Sequence, residues 1–260
     1  MNYDLNEILE WIEISYDKNG VWDASVLREL FEKKYGNIPK LMNESESIKK
    51  DVRSLRINIF SQAIEKLCPE FKVHKDNSNT FEFIKRYFYN YPKTPFINSK
   101  GILLSGKTGT GKTTLFKLMQ FLIVNMQEFE KFLSKKYFYI TSANNIVLDF
   151  AKNGAKCLEK YIENPKDDGG FNPRNYLIDD FGNEPKNANN FGNALNPLET
   201  VILERYELWK SKGIITHFTT NLSAKLIKEQ YSERVYKRIF EMTNYVIWNG
   251  EDYRSLKPIF

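Results

Sequence analysis

Residues Gly106-Lys107-Thr108-Gly109-Thr110-Gly111-Lys112-Thr113 fit the pattern G-x-x-x-x-G-K-[ST] at every defined position. Few short strings constrain a fold so tightly. Glycines let backbone N–H groups crowd around phosphate oxygens without a Cβ in the way. The helix that must follow adds the partial positive charge of its N-terminus. Lys112 is placed to reach β- and γ-phosphates, and the Thr113 hydroxyl to ligate Mg²⁺, with Thr114 completing the nucleotide-binding set. A glycine-rich turn can precede a helix by chance, but here both flanks agree. The apolar run Ile102–Ser105 reads as a buried strand entering the loop, and Thr113–Phe132 as a long helix leaving it.

A phosphate loop of this kind needs a carboxylate at the end of a neighbouring strand. Tyr176-Leu177-Ile178-Asp179-Asp180 supplies apolar residues followed by paired carboxylates, and ligands of open α/β sheets bind at that strand edge. Alone, an Asp pair more often caps a turn. Downstream of a phosphate loop, Asp179 is expected in the Mg²⁺ shell, through water, and Asp180 beside the attacking water. Asp180 is one methylene shorter than Glu, so Glu184, past the turn at Phe181-Gly182, is a second candidate for that task.

The rest of the chain alternates. Tyr137–Ile140 and Ile214–Thr219 read as further strands, and 145–153, 155–163 and Leu198–Lys212 as helices. The expected fold is a parallel α/β sheet of the P-loop NTPase class with flanking helices. Ahead of it, residues 5–16, 24–34 and 48–67 carry helical spacing and imply a small helical domain over 1–69, leaving 70–260 for the nucleotide domain. The polar stretch Lys75–Asn79 marks the transition. No apolar run approaches the roughly 20 residues that cross a bilayer, and the N-terminus lacks a signal-peptide pattern. Cys68 and Cys157 show no metal-ligand spacing, which suits reduced thiols in a cytoplasmic protein. A net charge of +5 across 260 residues permits nucleic-acid binding without arguing for it.

With these residues in view, the stretch from about Phe81 to Lys257 resembles the AAA+ ATPases. Within them it resembles the bacterial replicative-helicase loaders of the DnaC type, and the transposition helpers of the IstB type share much of the pattern. The resemblance rests on Gly101–Thr114, on Leu177-Ile178-Asp179-Asp180-Phe181-Gly182 and on three later segments. Thr216-His217-Phe218-Thr219-Thr220-Asn221 looks like the sensor-1 strand, which would set Asn221 beside the γ-phosphate. Ser232-Glu233-Arg234-Val235-Tyr236-Lys237-Arg238-Ile239 is similar to the arginine-finger helix, with Arg238 matching the finger given to a neighbouring subunit and Arg234 the runner-up. Asn249-Gly250-Glu251-Asp252-Tyr253-Arg254 resembles the end of these loaders, where the small helical lid is missing, and makes Arg254 a candidate sensor-2 residue.

The resemblance also implies partners. An insertion lining a single-stranded DNA channel would fall at Thr141–Asn164, where Lys152, Lys156 and Lys160 recur every fourth residue and Tyr161 offers a stacking ring. A solvated lysine face is the equal alternative. By position alone, residues 1–69 would grip a ring helicase. The expected function is therefore an ATP- and Mg²⁺-dependent helicase loader in DNA replication that self-assembles into a nucleotide-dependent oligomer and touches no membrane. Its rivals are a transposition helper ATPase and a nucleotide-gated binding module with negligible hydrolysis. A GTPase or small-molecule kinase fits poorly, because neither an Asn-Lys-x-Asp motif nor an arginine-rich lid is found.

Overall fold

The computed structural model describes residues 29, 33, 71, 73–88, 94–126, 135–166, 169–185, 188–190, 193–250 and 252. Apart from Glu29 and Lys33, both helical and exposed, the expected domain over 1–69 lies outside the described residues, as does Arg254. By contacts the chain divides into two compact units. His74–Phe83, Thr94–Phe116 and the residues from Phe138 onward form one; the described parts of Ile84–Lys93 and Lys117–Tyr137, with Phe71 and Val73, belong to the other. The first carries the candidate site.

Strand β1 (Gly101–Ser105) is buried along its whole length, as a continuous apolar run must be when both faces of a sheet are covered. Around it lie helix α1 (Ser78–Phe88) before the strand and α2 (Lys112–Met126) after the loop. Then come β2 (Tyr139–Ser142), α3 (Ala143–Asn153), a 3₁₀ turn (Ala155–Leu158) and α4 (Glu159–Ile162). Strand β3 (Tyr176–Phe181) is followed by the antiparallel pair β4 (Ala188–Asn190) and β5 (Asn193–Leu195), and by α5 (Pro197–Lys212). The described chain ends with β6 (Thr216–Thr220), α6 (Ala224–Gln230), α7 (Glu233–Met242) and β7 (Thr243–Ile247).

The five-stranded sheet runs in the order β2-β3-β6-β1-β7, and every pairing in it is parallel. This is the parallel α/β sheet with flanking helices that the sequence leads one to expect. Parallel strands bring the C-terminal ends of β1, β3, β6 and β7 to one edge, where the loop and the candidate carboxylates stand. One face of the sheet presents the row Ile178, Phe218, Leu103 and Tyr245 in register. Against the buried members of that row pack Ile146, Val147 and Phe150 of α3, Val201, Ile202 and Tyr206 of α5, and Val235, Ile239 and Met242 of α7. Each such side chain contributes about 1.5–3 kcal/mol on burial.

Local chemistry sets the element ends. Asn196 caps α5 by accepting from the Glu199 N–H, Pro197 opens its first turn, and Gly213 closes it in the left-handed region at φ 68°. Ser142, Ser223 and Ser232 cap α3, α6 and α7 in the same way. Several expectations shift, among them the start of β6, at Thr216 rather than Ile214, and the unforeseen pair β4 and β5. Strand β2 starts at Tyr139 rather than Tyr137, strand β7 is one that spacing did not suggest, and the helix expected over 155–163 is a 3₁₀ turn followed by a short α-helix. No helix among the described residues is long and apolar enough to cross a membrane.

Candidate functional site

The loop leaves β1 under tight constraint. Gly106 N–H donates to Thr220 O at 3.1 Å and Trp248 N–H to Ser105 O at 2.7 Å, so β6 and β7 hold the strand end from both sides. A Cβ on Gly106 would lie 2.1 Å from Trp248 O, which leaves glycine as the residue that fits. Gly109 and Gly111 take φ of 79° and 85°, values that strain any side chain. Trp248 is buried, and its indole Nε1–H donates to Thr110 O at 2.8 Å, pinning the loop from behind. That latch joins residues far apart in sequence, and the only signal for it was a lone Trp after an apolar run.

Lys112 is buried, and its ammonium donates to Gly106 O and Lys107 O, each at 2.7 Å, and to Asn221 Oδ1 at 2.8 Å. Thr113, one residue on, donates from Oγ1 to Asp179 Oδ1 at 2.8 Å. The structure therefore brings Lys112, Thr113, Asp179 and Asn221 together. One hydroxyl and one carboxylate beside a phosphate cradle suit Mg²⁺, which is held by one or two carboxylates plus substrate phosphates. The donor set fits the ion.

Asp180 sits at φ 55°, a left-handed conformation that Asp tolerates better than most residues. Its backbone N–H donates to Thr219 Oγ1 at 3.0 Å, and its side chain is exposed at the strand edge. Glu184 is buried. Its Oε2 accepts from the Gly182 N–H at 2.8 Å and its Oε1 from the Tyr231 hydroxyl. The Tyr231 ring stacks on Phe181 with centroids 4.5 Å apart. Burial first, and the Glu184 carboxylate second, push the Tyr231 hydroxyl well above the usual phenol range. Both carboxylate oxygens of Glu184 are thus engaged within the fold.

Arg234 and Arg238 lie one turn apart on α7. Arg234 is exposed. Arg238 lies over the Tyr206 ring, 3.9 Å from its centroid, and pairs with Glu241 Oε2 at 3.2 Å.

The expected nucleic-acid track is rearranged. Gly154, at φ 70°, ends α3 and breaks the helical continuity on which a single lysine face depended. Lys152, Lys156 and Lys160 are all exposed, but they stand on α3, the 3₁₀ turn and α4. Tyr161 is not a stacking platform: it is 5% exposed, within the core cluster, with its hydroxyl bonded to Asp149. Its helical spacing suited a core position as well as a surface one, and burial took it. Lys160 meets the same carboxylate at 2.6 Å.

Beside the loop opens a pocket of about 480 Å³, lined by Gly106, Lys107 and Asn221 together with His74, Asp76, Tyr245, Ile247 and Asn249. Its size is that of a small-molecule site. Asn77, fully buried, donates from Nδ2 to Asn249 O at 3.1 Å and ties the start of α1 to the exit of β7. Sequence reading gave His74, Asp76, Tyr245 and Ile247 no role, because they come from opposite ends of the domain.

No protein-family model and no curated protein matches this chain. Among solved structures it is similar to a putative primosome component from Streptococcus pyogenes serotype M3, at 17% identity over 70% of this chain and 85% of that one, with a TM-score of 0.48. It is similar to DnaI at 19% identity, over 71% of this chain and 89% of that one, with a TM-score of 0.48. It is likewise similar to the DnaC helicase loader, at 16% identity over 68% of this chain and 92% of that one, with a TM-score of 0.47.

Proposed function

We propose that this chain is an ATPase of the helicase-loader kind, which binds ATP and Mg²⁺ at Gly106–Thr114 and serves a replicative ring helicase. The observation that carries the nucleotide part is the 2.8 Å hydrogen bond from Thr113 Oγ1 to Asp179 Oδ1. It sets a loop hydroxyl and a strand carboxylate where one cation can meet both. The loader part rests on the sequence segments 177–182, 216–221 and 232–239.

On this reading Lys112 exchanges its protein acceptors for β- and γ-phosphate oxygens. The adenine base enters the pocket walled by His74 and Tyr245. Mg²⁺, when bound, neutralises charge on the phosphates. Asp180 accepts a proton from a water whose oxygen bonds to Pγ as the bond from Pγ to the β–γ bridging oxygen breaks, giving ADP and phosphate. Asn221, released by Lys112, turns its amide to the γ-phosphate. Arg238 of a neighbouring subunit adds positive charge to the same phosphoryl group, which makes assembly nucleotide-dependent. Single-stranded DNA follows Lys152, Lys156 and Lys160 by charge rather than by stacking on Tyr161. A second reading, a nucleotide-gated binding module with negligible hydrolysis, is favoured by the shortness of Asp180 and by the engagement of Glu184 with Tyr231.

The test is ATP turnover with and without single-stranded DNA, beside Lys112→Ala and Arg238→Ala. DNA-stimulated turnover that both variants abolish, and that mixing them partly restores, is the expected result. Tight ATP binding with no turnover under any condition would leave the binding module.

A further inference from the structure

Strand β3 does not run regularly into the site. Its register with β6 holds at Ile178↔Phe218 and resumes at Phe181↔Thr220. Asp179 and Asp180 therefore both stand opposite the single residue Thr219, which is a β-bulge. A bulge leaves one residue without its ladder hydrogen bond and re-aims the strand's side chains. In a regular strand the two adjacent carboxylates would point to opposite faces.

Thr219 repairs what the bulge breaks. It is fully buried. Its Oγ1 accepts the Asp180 backbone N–H at 3.0 Å, standing in for the missing ladder partner. The same hydroxyl donates its one proton to Asp179 Oδ1 at 2.5 Å. That oxygen also receives the Thr113 hydroxyl at 2.8 Å, so Oδ1 is held from two sides. Among the described residues no hydrogen bond reaches Asp179 Oδ2.

We propose that Thr219 is a positioning residue for the magnesium strand: one hydroxyl fixes the carboxylate of Asp179 by donation and the backbone of Asp180 by acceptance. This rests on the ATPase reading above and adds to it a residue that no motif assigned. A hydroxyl hydrogen-bonded to a metal-facing carboxylate sets its orientation, and losing such a partner costs roughly 10–100-fold in metal affinity or activity. The alternative is a β-branched side chain that merely fills space between strands.

Thr219→Val keeps the shape and removes the hydroxyl, whereas Thr219→Ser keeps the hydroxyl and removes a methyl group. The readout is equilibrium binding of a fluorescent ATP analogue across a Mg²⁺ titration, with turnover and thermal unfolding alongside. Thr219→Val is expected to bind the analogue normally without Mg²⁺, to need about tenfold more Mg²⁺ for half its tightening, and to lose kcat far more than KM. Thr219→Ser is expected to restore both. Thr219→Ala serves, with the same expectation, if the valine variant fails to fold. A hydroxyl-less variant with the wild-type Mg²⁺ requirement overturns the proposal, as does equal damage from valine and serine, which would mean packing alone. Wild-type protein whose nucleotide binding ignores Mg²⁺ would overturn the ATPase reading itself, and the role of Thr219 with it.

Discussion

Lys112 Nζ donates to Asn221 Oδ1 across 2.8 Å, joining two residues 109 positions apart. The buried ammonium after β1 and the amide at the end of β6 are thus each other's partner. Two loop carbonyls also accept from the ammonium. On the ATPase reading, a phosphate that drew Lys112 away would free Asn221 in the same movement, coupling nucleotide arrival to the release of that amide.

That coupling separates two variants. Lys112→Ala should abolish the rise in Tm that ATP and Mg²⁺ give the wild type, which at a hundredfold excess over Kd corresponds to about 2.7 kcal/mol. Asn221→Ala should keep that rise and lose turnover by about 10²-fold, the usual cost of removing one donor from a charged transition state. Thermal unfolding with and without nucleotide, beside a phosphate-release assay, distinguishes them. Loss of the ligand-induced rise in Asn221→Ala would mean that the amide serves binding rather than reaction.

The two acidic candidates part company in the same way. Asp180 is exposed at the strand edge, so Asp180→Asn should leave stability within about 0.5 kcal/mol, as surface changes do, while cutting turnover at least tenfold. Glu184 accepts from Gly182 N–H and Tyr231 OH, and Glu184→Ala should cost about 1–3 kcal/mol for each buried donor left without a partner. Denaturant unfolding reads the second effect and turnover the first. A stable Glu184→Ala protein without activity would reverse the assignment.

How much of this was legible in the sequence depends on the distance over which each feature is encoded. The loop and Asp179 are written locally, as glycine spacing and an apolar run ending in carboxylates, and Thr113 Oγ1 meets Asp179 Oδ1 at 2.8 Å. Trp248 behind the loop, Tyr231 on Glu184 and Thr219 between two aspartates are contacts across 138, 47 and 40 positions. One-dimensional spacing carries no trace of such contacts. The break at Gly154 was legible in the sequence, but the 3₁₀ turn that carries Lys156 was not. Strand β7 escaped notice because Thr243-Asn244-Tyr245-Val246-Ile247 mixes polar and apolar residues without a clean alternation.

Arg238 rests on Tyr206 and Glu241 within its own chain, with a third of its side chain exposed. A partly exposed cation–π contact is worth about 0.5–1 kcal/mol, a small barrier to its leaving for a neighbour. Arg238→Ala should therefore unfold almost as the wild type does, yet lose roughly 10³-fold or more of assembled turnover if it is a finger. Arg238→Lys should not rescue, because an ammonium lacks the planar fork. Full activity in Arg238→Lys would point to simple charge at that place.

Asp149 responds to acid. Burial pulls its carboxyl upward, but hydrogen bonds from Lys160 and Tyr161 outweigh it and hold the group below its usual 3.8. A carboxyl depressed in the folded state contributes stability that is present above its unfolded value and lost as pH falls through the folded one. Amide exchange over 149–162 should thus quicken below about pH 4 in the wild type. Asp149→Asn should show the faster exchange already at pH 6. Equal protection in the variant at pH 6 would remove the ion pair from the account.

Arg205 carries the sharpest stability prediction. It is fully buried, and among the described residues no carboxylate is one of its hydrogen-bond partners. Its guanidinium instead donates to Thr216 Oγ1 at 2.7 Å, Tyr161 O at 2.6 Å, Arg174 O at 2.9 Å and Ile215 O at 3.2 Å. Those acceptors lie on α4, on the chain entering β3 and around the start of β6, so one side chain on α5 joins three segments. Arg205→Ala takes the guanidinium from Thr216 Oγ1, Tyr161 O and Arg174 O, while Ile215 O keeps the Tyr176 N–H at 3.2 Å, and should cost at least about 3 kcal/mol. Arg205→Lys should recover little, since three donors on one nitrogen cannot span a fork's four partners. Amide exchange should then rise first over 159–175, where two of the carbonyls sit, while the phosphate loop keeps its protection through Trp248 and Thr220. A uniform rise across the domain would mean that Arg205 supports the core as a whole, and an unchanged unfolding midpoint would mean that it supports nothing.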